Sequence, residues 1–195
     1  MYKRPEHFVT IPAGYEWVGK PLVLDADTLE YLPGKKLFCK ELVQISAEVD
    51  PAALDQHVES LIAKELLLSP AALKPVLARK CSLFDTKTIF YADELWLVQD
   101  EQTLQTRCFD NLKSTATLVV TGELSIDPAV TPAVLSERIS KIHNFGQILC
   151  APEQQAAIEA RLATREGQVE VVSKGEAKPE EVRPDYIDNV NILTL

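Results

Sequence analysis

Cysteine and histidine are the residue types in this chain that could supply a nucleophile or bind a metal. A cysteine beside a histidine can act as a nucleophile, and Cys81 with His57, or Cys150 with His143, could form such a pair. The four cysteines include no CxxC pair and do not cluster with the three histidines, so their spacing gives a zinc site no support. We interpret the cysteines as reduced thiols in the core. We predict no metal, no cofactor and no catalytic residue.

The sequence lacks the common motifs of nucleotide binding and hydrolysis. GxGxxG, GxxxxGK[ST], GxSxG and HExxH are all absent, although each would mark a well-understood site. A non-enzymatic role is therefore favoured. The alternative that remains is an enzyme of unrecognised type whose acid–base residues, Glu94 or Glu123, lie at the edge of a sheet.

Composition limits the partners that the chain can have. With 195 residues and 46% hydrophobic residues, the chain can bury a sizeable core. Its net charge of −9 argues against nucleic acids and anionic membrane surfaces as partners. No apolar run approaches the roughly 20 residues of a membrane span, and the N-terminus has no apolar core of a secretory signal. These features predict a cytoplasmic protein.

A short motif recurs along the chain at nearly even spacing. It is seen in TGELSIDPAV and FGQILCAPEQ, and its apolar anchor residues are Leu42, Leu66, Leu95, Leu124, Ile148 and Val169. The anchors are separated by 24, 29, 29, 24 and 21 residues. Periods of 20 to 30 residues are typical of solenoids that carry one strand and one helix or turn per coil.

Each copy of the motif changes from a strand pattern to a helix pattern. Apolar residues alternate with polar ones across 118–126, which indicates a strand. Glycines recur at one register of these strands, which predicts a bend in each coil; they are Gly122, Gly146 and Gly167. Helices are predicted to start where a capping residue precedes proline, as at Asp50, Ser69 and Thr131.

These patterns predict an α/β fold, a short right-handed solenoid of about five strand–helix repeats with parallel stacked strands. The predicted solenoid spans residues 37–172 and resembles the leucine-rich-repeat class, although the asparagine of that family's consensus is absent from VVTGELSIDPAV. A doubly wound α/β domain is the alternative. Residues 1–36 are interpreted as an N-terminal cap or a degenerate first coil. Residues 173–195 are interpreted as a charged linker and an apolar tail that docks on its own chain or on a second copy.

The candidate site is the outward face of the predicted strands. If the anchor leucines point inward, the residues beside them form two outward columns on stacked strands. The first column contains Glu65, Glu94, Glu123 and Gln147, and the second contains Leu67, Trp96, Ser125 and Leu149. An outward tryptophan among leucines, rimmed by acids, is typical of a binding hot spot. The sequence therefore predicts a protein-interaction or scaffold module, with a protein partner or self-association through the tail.

Overall fold

The chain is a mixed α/β protein with parallel strands in four sheets. The structure, a computed structural model, describes residues 10–83 and 85–172. The chain divides into two compact units at the boundary between Leu95 and Trp96, which falls inside the predicted range 37–172. The predicted linker and tail, residues 173–195, lie outside the described residues.

The first unit repeats the order strand, strand, helix three times. Its strands are β1 (Glu16–Val18), β2 (Leu22–Leu24), β3 (Lys35–Cys39), β4 (Val43–Ile45), β5 (Val58–Ala63), β6 (Leu67–Pro70) and β7 (Thr88–Tyr91). Its helices are α1 (Ala26–Glu30), α2 (Pro51–His57) and α3 (Lys74–Lys80), the last preceded by a 3-10 turn at Ala71–Leu73. One sheet has the order β1-β3-β5 and the other β2-β4-β6-β7. Because β1, β2 and α1 already follow this order, residues 10–36 have the element order of a coil.

The second unit follows the same order. Strand β8 (Glu94–Val98) crosses the boundary, and the further strands are β9 (Glu101–Leu104), β10 (Ala116–Val120), β11 (Glu123–Ile126), β12 (Ile139–Asn144), β13 (Gln147–Cys150), β14 (Leu162–Arg165) and β15 (Gln168–Val171). The helices are α4 (Pro132–Arg138) and α5 (Pro152–Arg161), with a 3-10 helix at Thr106–Phe109. The sheets have the orders β14-β12-β10-β8 and β15-β13-β11-β9. Each repeat thus contributes two strands, one to each sheet, instead of the single strand predicted.

Two of the three predicted helix starts are confirmed. The Asp50 carboxylate accepts hydrogen bonds from the first-turn amides of α2, and the Thr131 hydroxyl accepts one from an amide of α4. The prediction at Ser69 is wrong. Ser69 is buried within β6, and the helix that follows begins only at Lys74. The Ser-Pro pair here ends a strand because both residues pair with β7.

The strand register confirms part of the predicted column. Leu124 pairs with Ile148, and Ile148 pairs with Val169. On its other side, however, Leu124 pairs with Gln102 on β9, and the Leu95 anchor lies on β8 in the neighbouring sheet. The predicted intervals of 29 residues around Leu95 arose because a first strand of one repeat was aligned with the second strands of others.

The recurring glycines lie at the bends between the two strands of a repeat. The amide of Gly146 donates to the Val120 carbonyl at 3.1 Å, and the amide of Gly167 donates to the Asn144 carbonyl at 2.8 Å. A Cβ atom on Gly146 would overlap the carbonyl oxygen of Gly122 in the preceding repeat. The prediction of a repeated bend is confirmed, and close backbone approach is the reason that glycine is needed there.

Each unit has its own hydrophobic core between its sheets and helices. In the first unit the core includes Leu37, Leu61 and Leu67, and in the second it includes Leu124 and Ile148. These side chains are almost completely buried. Where burial alternates along a strand, as on β11 and β13, it fixes which residues face outward.

Candidate functional site

The candidate site is the outward surface of the sheet formed by β9, β11, β13 and β15. Its residues alternate along the strands with buried residues such as Leu124 and Ile148, which point into the core. We call it the second-unit face, and it consists of Glu101, Thr103, Glu123, Ser125, Gln147, Leu149, Gln168 and Glu170.

Strand register arranges this face in two straight rows. One row is Glu101, Glu123, Gln147 and Gln168, and the other is Thr103, Ser125, Leu149 and Glu170. Neighbours within a row are about 4.8 Å apart, as in any parallel sheet. The Gln147 amide donates to the Glu170 carboxylate at 2.8 Å, so the rows are also connected diagonally.

Four of the predicted site residues are brought together on this face. Glu123, Ser125, Gln147 and Leu149 occupy adjacent positions on β11 and β13, with Glu123 opposite Gln147 and Ser125 opposite Leu149. The residues on β9 were missed. Their signal in the sequence is the alternating segment EQTL. This segment lacks the glycine of the recurring motif and has one apolar residue where the motif has two.

The structure corrects the prediction that Trp96 faces outward. Trp96 shares strand β8 and its inward side with Val98, which is buried. Its ring meets that of Phe109 edge to face, with centroids 5.7 Å apart, and it packs against the core of the second unit. Glu94 lies at the start of the same strand, in a different sheet from Glu123. Trp96 therefore contributes to packing and does not lie on the second-unit face.

The two predicted site residues of the first unit also lie apart from this face. Leu67 is completely buried in the core of the first unit, so the prediction that it faces outward is wrong. Glu65 is exposed in the bend that precedes β6. The prediction failed because Leu67 itself is the inward residue: it pairs with Val43, another residue of the core, and the predicted anchor Leu66 precedes β6.

One member of each cysteine–histidine pair proposed from the sequence has a different hydrogen-bond partner. The Cys81 thiol donates to the Thr86 hydroxyl at 3.4 Å, and the His143 Nδ1 is 2.8 Å from the Thr164 hydroxyl. Burial raises the pKa of the Cys81 and Cys150 thiols. A nucleophilic cysteine needs a lowered pKa. The surroundings of Cys81 and Cys150 raise the thiol pKa instead, which disfavours a nucleophilic role.

The described parts of the chain meet the requirements of neither a metal site nor a membrane-spanning helix. Across residues 10–83 and 85–172, no three His, Cys, Asp or Glu side chains are grouped closely enough to hold a metal ion. Among the helices of these same ranges, none has the length and apolar character needed to cross a membrane.

Comparison with known proteins gives no relative from which a function could be transferred. No protein-family model matches the chain, and no significant match is found among curated proteins or solved structures.

Proposed function

We propose that this chain is a protein-interaction or scaffold module that binds its partner through the second-unit face. The observation that carries the proposal is the alignment of Glu123 with Gln147 and of Ser125 with Leu149 on adjacent parallel strands. Their buried neighbours hold the backbone rigidly, so the outward side chains form a preorganised surface. Preorganisation lowers the entropic cost of association.

The composition of this face suits a protein partner with polar groups. Carboxylate and amide side chains on β9, β11, β13 and β15 can donate to or accept from a partner, and Leu149 supplies apolar area in the middle. A polar surface with a small apolar centre is typical of non-obligate interfaces. We therefore expect reversible association.

The enzyme alternative has less support. Glu94 and Glu123 lie on strands of different sheets. The buried thiols have raised pKa values, which disfavours nucleophilic catalysis.

We also propose that the repeats form a short solenoid of the kind that the leucine-rich-repeat resemblance implies. The support is the nearly constant offset between paired residues: 21 residues from Leu22 to Val43, 24 from Val43 to Leu67, and 24 from Leu124 to Ile148. Such nearest-neighbour pairing is typical of solenoid proteins. The two strands in each repeat distinguish this arrangement from a repeat with one strand.

Site-specific photo-crosslinking tests the proposed face. A photoreactive amino acid at Ser125 or Leu149 is expected to capture the same partner in native cells. The same amino acid at Ala156, which is exposed on α5, is the matched control and is expected not to capture it. Equal capture from Ala156, or different proteins captured from Ser125 and Leu149, would contradict the proposal.

A further inference from the structure

The first unit carries a second outward face, whose chemistry differs from that of the chain as a whole. It lies on the sheet of β1, β3 and β5, where Leu37, Cys39, Leu61 and Ala63 point into the core. The alternate positions point outward. We call this surface the lysine–aromatic face, and it consists of Trp17, Lys36, Phe38, Lys40, Ser60, Ile62 and Lys64.

An apolar row crosses the middle of this face. Trp17 pairs with Phe38, and Phe38 pairs with Ile62, so the three side chains lie side by side on adjacent strands. The rings of Trp17 and Phe38 stack with centroids 5.7 Å apart and planes inclined by 20°. Phe38 is only 1% exposed, although it lies outside the core cluster, whereas Trp17 remains 45% exposed. The accessible anchor of the row is therefore the outer part of the Trp17 indole.

Lysines flank this apolar row at the bend that ends the strands. The amide of Lys40 donates to the Val18 carbonyl at 3.0 Å, and that of Lys64 donates to the Cys39 carbonyl at 2.9 Å. These bonds place Lys40 and Lys64 at equivalent positions of consecutive repeats, about 4.8 Å apart along the sheet. The Lys64 ammonium lies 5.6 Å from the centre of the Phe38 ring, within the range of a cation–π interaction.

The charge on this face is positive although the chain carries a net charge of −9. Its seven residues include three lysines and no acid. Lys36 is paired with Glu59 at 3.0 Å. Among the described residues, neither Lys40 nor Lys64 has a carboxylate within ion-pair distance. Two like charges in register repel each other, so an anionic partner would relieve this repulsion as well as pair with the ammonium groups.

We propose that the lysine–aromatic face binds an acidic peptide segment of a partner protein, with an apolar side chain of that segment on Trp17. Carboxylates on either side of the apolar residue would pair with Lys40 and Lys64. An apolar anchor surrounded by complementary charge is the usual composition of a binding hot spot and its rim. This site lies in the first unit and is independent of the second-unit face.

A single-stranded nucleic acid is the other anionic polymer that an aromatic and basic sheet could bind. Such binding uses several exposed ring faces on which successive bases stack. Here Phe38 is covered and Ile62 has no ring, which leaves Trp17 as a single platform. The geometry therefore favours the acidic peptide.

Fluorescence anisotropy with the full chain tests this proposal. The probe is a short dye-labelled peptide in which phenylalanine is flanked by glutamates, and a second probe has lysines in place of the glutamates. We expect the acidic probe to bind, the basic probe not to bind, and the affinity to fall with added salt. Lys40→Glu, Lys64→Glu and Trp17→Ala should each weaken binding by about tenfold.

Lys74→Glu is the matched control, because Lys74 also lies over a phenylalanine ring, 5.5 Å from the centre of Phe90, but on α3. It makes the same change of charge and should leave the affinity unchanged. Circular dichroism should show the same fold for all variants. If a lysine-to-glutamate variant does not fold, the lysine is changed to glutamine instead.

Three results would overturn the proposal. The first is that the acidic probe does not bind the wild-type chain, and the second is that Lys74→Glu weakens binding as much as Lys64→Glu. The third is tighter binding of a single-stranded oligonucleotide that depends on the same residues, which would assign the face to nucleic acid.

Discussion

The carbonyl oxygen of Gly122 lies in the space that a Cβ atom on Gly146 would need. The same carbonyl accepts a hydrogen bond of 2.9 Å from the amide of Gln147, so it cannot turn away without breaking the pairing of β11 with β13. Gly167 repeats the relationship with the carbonyl of Gly146. Successive bends of the second unit are therefore in direct backbone contact, which fixes the distance between repeats.

Gly146→Ala should strongly destabilise the second unit. Because the added methyl group meets backbone instead of a flexible side chain, we expect a loss of about 3 kcal/mol or more in the free energy of unfolding. Gly19→Ala is the control, since its Cβ would meet only the end of the half-exposed Trp17 side chain. Urea denaturation measures both variants, and an equal loss for the two would contradict backbone contact as the cause.

The stabilities of Leu124→Ala and Leu149→Ala should distinguish the buried side of the sheet from its outward side. Leu124 is fully buried, so its truncation should cost about 2 to 5 kcal/mol. Leu149 lies on the second-unit face and is half-buried, so its truncation should cost less than about 1 kcal/mol. Denaturant midpoints give both values. A larger loss for Leu149 would show that the assigned alternation is inverted.

Gln154→Leu should destabilise the start of α5. The Gln154 side chain is buried, accepts from the Ala151 amide at 2.9 Å, and donates to the carbonyls of Asp127 and Val130 at 2.8 and 2.7 Å. Leucine would remove the Gln154 partner of the buried Ala151 amide and of the Val130 carbonyl, at a cost of about 2 kcal/mol or more, whereas the Asp127 carbonyl would still accept from the Val130 amide at 2.9 Å. Gln155→Leu is the control, because Gln155 only bonds to Glu159 at the surface. Thermal unfolding should show a clear shift for the first variant and almost none for the second.

Ionisation of the Tyr91 hydroxyl should make the protein less stable at high pH. Its hydroxyl donates to the Ile45 carbonyl at 2.6 Å, and burial, together with the charge of Glu48, raises its pKa from 10 to about 12. As the pH rises above 10, the unfolded chain loses this proton first. The stability from Tyr91 is therefore fully present below pH 10 and is lost between pH 10 and 12.

The variant Tyr91→Phe should lose about 1 kcal/mol near neutral pH, because the hydrogen bond is removed. It should then show a smaller decrease between pH 10 and 12 than the wild type. Part of the decrease should remain, since burial also raises the pKa of Cys39 to about 11. Denaturant unfolding across this pH range tests the prediction, and parallel curves for the two proteins would contradict it.

The sequence predicted the elements better than their pairing. Caps at Asp50 and Thr131 and the bends at the glycines follow from local chemistry, so they could be predicted. The division of each repeat into two strands could not, because inward residues alternate without interruption from Leu118 through Gly122 to Ile126. Because the bend between the two strands has two residues, the alternation of inward and outward side chains continues through it. Only the hydrogen bonds to other repeats show where one sheet ends and the next begins.

The same ambiguity explains the errors in the candidate site. The segment DELWLVQ matches the motif of the second strands, but it pairs as a first strand, so its tryptophan points to the core. The lysine–aromatic face was missed for a different reason. Trp17 lies in a segment that was interpreted as a cap, and Phe38 directly follows Leu37, so no polar residue marks the alternation there. Its outward side became visible only through the pairing of β1 with β3.

The short offset between paired residues has a consequence for folding kinetics. Residues that pair are 20 to 24 positions apart, as for Ile142 with Leu162, Leu22 with Val43, and Leu124 with Ile148. Each new pairing therefore closes a loop of nearly the same modest length, and no pairing waits for the distant ends of the chain to meet. Folding can start at any repeat and spread to its neighbours. Within the second unit, amide exchange should accordingly be slowest on inner strands such as β10 and β11, and fastest on edge strands such as β14 and β15.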